Sequence, residues 1–321
     1  MLIGKGQNQV PANCMLGSAA YINKEELPAS TDVNNRLTTL EGNVPLTSSI
    51  SVTVGTDGTY PTINAALEYL TKRFPLYKAG GITATIQLRS GFVMREQVAV
   101  KGLNLGWITI SSVDSEVTID HTFLTATYGD GVYPAFSGIG GAVLPLINAL
   151  FTFGVANYGT LTGTKRVFLH LVGSRATIQS SKGVKYAPSV GCYIVRDSVL
   201  SASSSVITHS GTDNVKVLLG STVTFDAATV TYALGTNLWA EAISDISFNG
   251  GTGTNAGTRG IFADASSRIN ANGANVRRNG TSDQATDAVI VNGSFISANG
   301  MLGGTSVTIN TLSQNGVIFK V

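Results

Sequence analysis

The sequence predicts an all-β chain in which short strands stack as repeated rungs, and three observations carry that expectation. The first is a near-repeat in the last third. Ser267-Arg268-Ile269-Asn270-Ala271-Asn272-Gly273 returns as Ser294-Phe295-Ile296-Ser297-Ala298-Asn299-Gly300. Gly260-Ile261-Phe262 returns as Ala288-Val289-Ile290, with Gly260 matched to Ala288, and again at the same interval as Gly316-Val317-Ile318-Phe319. A period of about 20 to 50 residues marks stacked supersecondary units rather than a globule wound around one centre. The second observation is that Val, Ile, Thr and Ser recur in short runs broken by Gly and Asn, the pattern of strands and corners. The third is composition: of 321 residues 12% are charged, 43% are hydrophobic and 37 are Gly, the reverse of a disordered chain. Such a unit, strand–turn–strand, suits a coil of a β-solenoid whose strands hydrogen-bond to the coils above and below.

Along the chain, residues 1–30 are polar and irregular, with Pro11 and Pro28, and suit an attachment segment. Val33, Leu37, Leu40 and Val44 then fall on one helical stripe, the seam of a short coiled coil that Asp32 or Asn34 would cap. Two turns of helix do not hold alone, so this stripe makes sense beside a larger oligomer contact. A boundary near Ser49 separates this segment (1–49) from a β domain (50–321). Ile50–Val54 alternates as a strand, and Gly55–Pro61 is a turn cluster. Thr62 is placed as the N-cap of a helix whose apolar positions are Ile63, Ala66, Leu67 and Leu70. The next Glu sits six positions beyond Thr62, so no capping box forms. The helix is expected to cover the open end of the apolar channel, where strand edges would otherwise stay unpaired. Strands follow at 82–88, 97–100, 107–111 and 116–120, then at 167–171, 176–179, 192–195, 206–208, 215–218 and 222–225. Short strands at this density, with almost no helix between them, exclude a parallel α/β sheet.

The stretch 131–164 carries no charge, and Ala135 to Ala156 is long enough to cross a bilayer. Pro134, Pro145, Asn148 and several Gly interrupt it, and no Lys/Arg cluster flanks it closely, so no membrane span is expected. It is expected to be a buried loop or helix, or an oligomer contact, and we assign it to the contact. Met1–Ala20 lacks a basic start followed by an apolar run, so no secretory signal is expected. A net charge of +2 without a basic run argues against nucleic acid as a partner. Cys14 and Cys192 show no metal spacing and suit two idle thiols; no metal and no cofactor is expected.

Asp57-Gly58-Thr59-Tyr60-Pro61-Thr62-Ile63-Asn64-Ala65-Ala66-Leu67 resembles the opening of the pectin-lyase-like right-handed parallel β-helix, and Gly91–Val100 is similar to the "GxYxExVxV" coil that follows in many members. Asn8–Tyr21 resembles the N-terminal segment of bacteriophage tail fibres and tailspikes, with "NQxPxNxMLGxxAY" leading into a shaft. The coils near the C-terminus also look like phage fibre repeats. The resemblance covers roughly positions 1–120 and 257–321; the middle matches in style alone. It implies a homotrimer located in the virion, at the phage tail. Other tail or baseplate proteins would be partners through the N-terminal segment, and bacterial surface polysaccharide would be the target.

Depolymerising tailspikes of this fold cut polysaccharide with paired carboxylates, which hydrolysis needs about 5 to 9.5 Å apart. Neighbouring coils, about 4.8 Å apart, can supply such a pair. The central candidates are Asp197, Asp213, Asp226, Glu241 and Asp245, each of which also suits a turn-capping role. Trp239, two residues before Glu241, is placed either to stack on a sugar or to pack in the sheet; with Tyr232 it forms the candidate glycan-binding pair. The later signatures of pectin methylesterases and the Asp cluster of pectate lyases have no counterpart here. His121, His170 and His209 are dispersed, with His209–Asp213 at most a loop pair. The expectation is therefore a non-enzymatic trimeric tail fibre or spike that recognises a host-surface glycan, with a depolymerase as the alternative.

Overall fold

The computed structural model describes residues 15–16, 19–20, 44–75, 81–158, 165–277, 287–305 and 309–320. Among them the fold is all-β and dominated by parallel pairing. The helical exceptions are α1 (Ile63–Thr71) and two single 3-10 turns at His121–Phe123 and Val155–Asn157. Four large sheets share the strands. An eight-stranded sheet runs from Val98–Lys101 to Ala288–Ile290, and a seven-stranded sheet from Arg175–Thr177 to Gly316–Phe319. A six-stranded sheet runs from Val93–Met94 to Thr229–Thr231, and a four-stranded sheet from Ile50–Val54 to Leu146–Asn148. Bridges at Val143–Arg175 and Ile147–Ile178 carry the four-stranded sheet into the seven-stranded one. From Val93 to Thr231 the chain visits these faces in a fixed order, so strands adjacent in a sheet are a full repeat apart in sequence.

In the middle the rungs follow a constant 23-residue step: Cys192 pairs with Val215, Val215 with Leu238 and Leu238 with Ile261. The side chains alternate as period-two strands require, and the inward set of every sheet belongs to one buried cluster from Val52 to Ile318. Phe136, Phe151 and Phe168 meet there with ring centroids 5.3 to 5.5 Å apart, all fully buried. Corners repeat as well. Arg196, Leu219, Ala242 and Ala265 share a left-handed φ of 49 to 57°, and Tyr186, His209, Tyr232 and Asn255 share one of 59 to 61°. Behind the first of these corners, buried serines form a ladder: Ser198 Oγ accepts from Ser174 N (3.1 Å), and Ser221 Oγ from Ser198 N (3.2 Å). Asn214 Nδ2 donates to Asn237 Oδ1 (2.8 Å) one rung on. A buried polar group without a partner costs about 1–3 kcal/mol, so in-register stacking is what lets these corners stay inside.

Helix α1 forms as the sequence predicts, with Thr62 as N-cap and Ile63, Ala66, Leu67 and Leu70 buried against the first strands. Three expectations are corrected. The uncharged stretch is not a single loop or helix: its described residues supply strands Tyr133–Ile139, Leu146–Asn148 and Leu150–Thr152, joined by bends and followed by the 3-10 turn Val155–Asn157. Ala135, Phe136, Leu144, Ile147, Phe151 and Phe153 are buried within the chain itself, so its own core accounts for this apolarity without an oligomer contact. The repeat of Gly260–Phe262 is shorter by one position than the letters suggest: Ile261, not Gly260, pairs with Ala288, and Phe262 pairs with Val289. Gly316–Phe319 does not extend that strand; it pairs with Ser294–Ser297 in the seven-stranded sheet. A one-residue slip exchanges the two faces of a strand, and the structure keeps the register that buries Ile261.

Val33, Leu37 and Leu40 of the expected coiled coil lie outside the described residues, as does Cys14. Val44 begins a short strand, Val44–Leu46, paired in parallel with Arg73–Pro75. Cys192 is a buried free thiol whose pKa burial pushes well up.

Candidate functional site

The outward positions of the parallel sheets decide what the surface offers, and the five acids can be placed on it one by one. Asp213 lies at the entry to the eight-stranded sheet and is almost wholly buried. Its Oδ1 accepts the backbone N–H of Thr236 on the next rung (2.8 Å), and burial raises its carboxyl pKa. Asp226 sits at a corner, where one oxygen takes three donors: Ser247 Oγ (2.7 Å), Asn249 N (2.8 Å) and Asn249 Nδ2 (3.1 Å). Asp197 occupies a left-handed corner (φ 59°), with its Oδ1 over Gly220 of the next rung, where a Cβ would lie only 2.5 Å away. Glu241 ends a strand of the eight-stranded sheet, and its charge helps raise the pKa of the Tyr193 phenol, after burial and Asp130. Asp245, on the seven-stranded sheet, pairs with Arg268 (3.5 Å). Among the described residues no hydrogen bond joins any two of the five, and Asp213 and Asp226 act as clamps between rungs.

The aromatic candidates are also placed by register. Trp239 lies between Lys216 and Phe262 on adjacent strands. Lys216 Nζ stands 3.7 Å from the indole centroid, and Phe262 meets the indole edge-on at 5.3 Å. Arg259 covers Phe262 in turn at 4.0 Å. Trp239 is thus one member of a cation–aromatic row on the outer face, and its neighbours engage its ring. Tyr232 stacks on His209 at 4.6 Å and 10°, and His209 lies against Tyr186 at 4.7 Å. Tyr232 keeps 45% of its surface exposed. His209 therefore belongs to an aromatic stack and Asp213 to the Thr236 clamp, so the two do not act as a pair.

A second histidine is engaged more tightly. His170 is fully buried, its Nε2 3.3 Å from Asp130 Oδ2, while Arg196 Nη2 donates to Asp130 Oδ1 (2.8 Å). Burial lowers the His170 pKa against the raising effect of Asp130, so the ring favours the neutral form. Ser137 faces His170 in register, yet neither Ser137 Oγ nor His170 Nδ1 has a hydrogen-bond partner. The arrangement pins the segment carrying Asp130 over the sheet; it does not assemble a nucleophile.

Two hollows formed by described residues bear on the site. One, of about 540 Å³, lies beside the N-terminus of α1. Its Glu96 is committed: Oε1 accepts Ile63 N (2.6 Å) and Oε2 accepts Asn64 N (2.9 Å). The capping carboxylate that the local sequence lacks thus arrives from a strand entry 33 residues on. Burial raises its pKa, partly offset by those two N–H groups. The other hollow is a groove of about 290 Å³ along the outer face of the seven-stranded sheet. Hydroxyls and an amide line it (Thr224, Ser247, Asn270 and Ser297), with the Asp245–Arg268 pair and Phe295 alongside. Ser247 Oγ and Ser297 Oγ already donate to Asp226 and Asn272, and most of the accessible lining is apolar. The groove therefore offers a polyhydroxylated ligand an apolar floor and the Phe295 ring, with Thr224, Asn270 and the ion pair as its polar contacts. Of the acids singled out in the sequence, only Asp245 lines this groove.

Sequence reasoning missed Asp130, Lys216, Arg268, Asn270 and Phe295. For Lys216, Arg268 and Asn270 the signal was the constant central step. It aligns Tyr193, Lys216, Trp239 and Phe262 in one row, and Asp245 with Arg268 and Ser247 with Asn270 in another sheet. Asp130 and Phe295 lie off that step. Among the described residues no group of three or more His, Cys, Asp or Glu is placed to hold a metal, and no helix is long and apolar enough to cross a membrane. Compared with known proteins, the chain matches no family model and no curated sequence.

Proposed function

We propose that this chain is a structural virion protein. In this reading it is a subunit of a homotrimeric phage tail fibre or tailspike whose rungs wind as a right-handed parallel β-helix of the pectin-lyase-like kind. Residues 1–49 attach it to other tail or baseplate proteins, and the outer face of the rungs recognises a glycan on the host surface. The observation that carries the recognition half is the groove of Thr224, Ser247, Asn270, Ser297 and Phe295, neutral apart from one ion pair. Rigid parallel stacking supports the fibre half, since a ladder of rungs makes a rod and three copies multiply contacts of moderate strength. Recognition is favoured over cleavage because Asp213 and Asp226 are spent on backbone and side-chain donors of the next rung.

Two measurements test the reading. Light scattering of the purified chain should give the mass of a trimer; a monomer removes the trimer. Binding to a panel of bacterial capsule and O-antigen polysaccharides should be retained without release of reducing ends. Release of reducing ends would replace recognition by depolymerisation, and Asp245→Asn would then be the first variant to assay.

A further inference from the structure

The chain contains six Asn–Gly pairs, and the structure treats them unequally. Asp226, Asn249, Asn272 and Asn299 stand at equivalent corners of successive rungs. The residue after each of the first three donates its backbone N–H to the next rung's Asn carbonyl: Ala227 to Asn249 (2.8 Å), Gly250 to Asn272 (2.8 Å) and Gly273 to Asn299 (2.7 Å). The side chains are tied as well. Asn249 Nδ2 donates to Asp226 Oδ1 (3.1 Å), and Asn272 Oδ1 accepts from Asn299 N and Ser297 Oγ (2.9 Å each). At the last corner both ties are gone. Among the described residues, neither Gly300 N nor the Asn299 side chain has a hydrogen-bond partner, and Asn299 is exposed where Asn249 and Asn272 are half-buried.

Two other described pairs are each held by one bond. Asn292 Nδ2 donates to Asp264 Oδ1 (2.7 Å), and Gly316 N donates to Ser313 O (3.0 Å). Asn279–Gly280 lies outside the described residues.

From this we infer that Asn299–Gly300 is the site of spontaneous deamidation among the stacked corners, selected because its attacking amide and its target side chain are both free. The reaction needs no co-reactant but water. The Gly300 amide gives its proton to solvent base, and its nitrogen bonds to Cγ of Asn299. The Cγ–Nδ2 bond breaks and ammonia leaves, closing a succinimide. Water then opens that ring at either carbonyl, giving aspartate or isoaspartate, with no change of oxidation state. A glycine in the second position lets the nitrogen approach because no Cβ shields it. In the lower rungs a donated N–H is harder to deprotonate, and a bonded side chain cannot turn Cγ onto it. The isoaspartyl product inserts an extra backbone atom into the turn closed by Met301 N and Ala298 O (3.0 Å). It thereby loosens the rung that places Phe295 and Ser297 at the groove. This inference is independent of the proposed function.

The test is a time course of the full-length protein at mildly alkaline pH, read by peptide mapping with mass spectrometry, in buffer and in urea. In buffer, Asn299 should convert faster than Asn249 and Asn272 by at least about tenfold, since each loses a hydrogen bond to react and Asn299 does not. In urea the three should converge, because each is followed by glycine. Equal rates in buffer, a faster Asn249 or Asn272, or the same ranking in urea as in buffer would each overturn the inference.

Discussion

The rungs between Gly191 and Val276 keep one spacing, whereas those between Ile50 and Leu169 keep none. In the central set, partners in the eight-stranded sheet recur with a 23-residue step. In the first set, Ile50 pairs with Ala84, Ala84 with Ile108, Val98 with Phe136 and Phe136 with Leu169, all at different separations. The difference sets how each region is held. Where spacing is constant, corners stack on corners, and Ser, Asn and Asp side chains bond across to the adjacent rung, as Ser198 N does to Ser221 Oγ, Asn214 to Asn237 and Asp226 to Asn249. Where insertions vary, side-chain ties between rungs are irregular, as where Asp114 accepts from Ser90 Oγ and Gly91 N, and the region adds bulk: three interlocked phenylalanines and helix α1.

That contrast can be broken from either side. Phe151→Ala empties the aromatic cluster of the irregular region and should cost about 3–5 kcal/mol in thermal or denaturant unfolding. A loss nearer that of an exposed residue would mean the cluster is not what holds these rungs. Asn214→Ala removes one member of the buried amide ladder, takes a partner from both Asn237 Oδ1 and Ser210 N, and should cost about 1–3 kcal/mol. Combined with Asn237→Ala, the total should fall short of the sum, because both remove one shared bond. Strict additivity would show that the ladder is not a unit.

Acid should sharpen the comparison further. His121, His170 and His209 all have pKa values lowered, first by burial, from 6.5. A group lowered on folding contributes stability that is present above its unfolded pKa and lost as pH falls through the folded value. Melting temperature should therefore decline as pH drops below about 6.5, and His170→Gln should flatten that slope. Glu96 and Asp213 oppose it: their raised values contribute stability present at low pH and lost as pH rises through the folded pKa. An unchanged slope in His170→Gln would place the acid sensitivity elsewhere. The smallest effect is expected for Asp226→Asn, within about 0.5 kcal/mol, because Asn already fills the equivalent corners at 249 and 272, and at 272 its Oδ1 accepts the equivalent backbone N–H and serine hydroxyl.

The fold class was legible because strand alternation and turn residues are local properties. The C-terminal repeat was legible because Ile-x-Ala-Asn-Gly recurs nearly letter for letter. The central period was not, although it is the more regular. Arg196, Leu219, Ala242 and Ala265 share a backbone conformation but not one residue type, and the buried serines that keep the step (Ser198, Ser221, Ser244 and Ser267) are lost among the many other serines of this region. The same reason hid the groove, whose members are ordinary Thr, Ser and Asn until parallel register lines them up. Of the acids chosen from sequence, Asp213 and Asp226 clamp the next rung rather than cap the turns beside them, and Asp245 alone lines the groove.

By itself the amino-acid order determined that this chain forms short parallel-stacking strands, where its helix begins and which of that helix's residues turn inward, since periodicity and N-capping act over a few residues. Tertiary structure decided what the uncharged stretch is for, which carboxylates are consumed as clamps and where the open groove lies. Those outcomes depend on which residue stands a full rung away, and hydrogen bonding between rungs, not neighbourhood in sequence, sets that pairing.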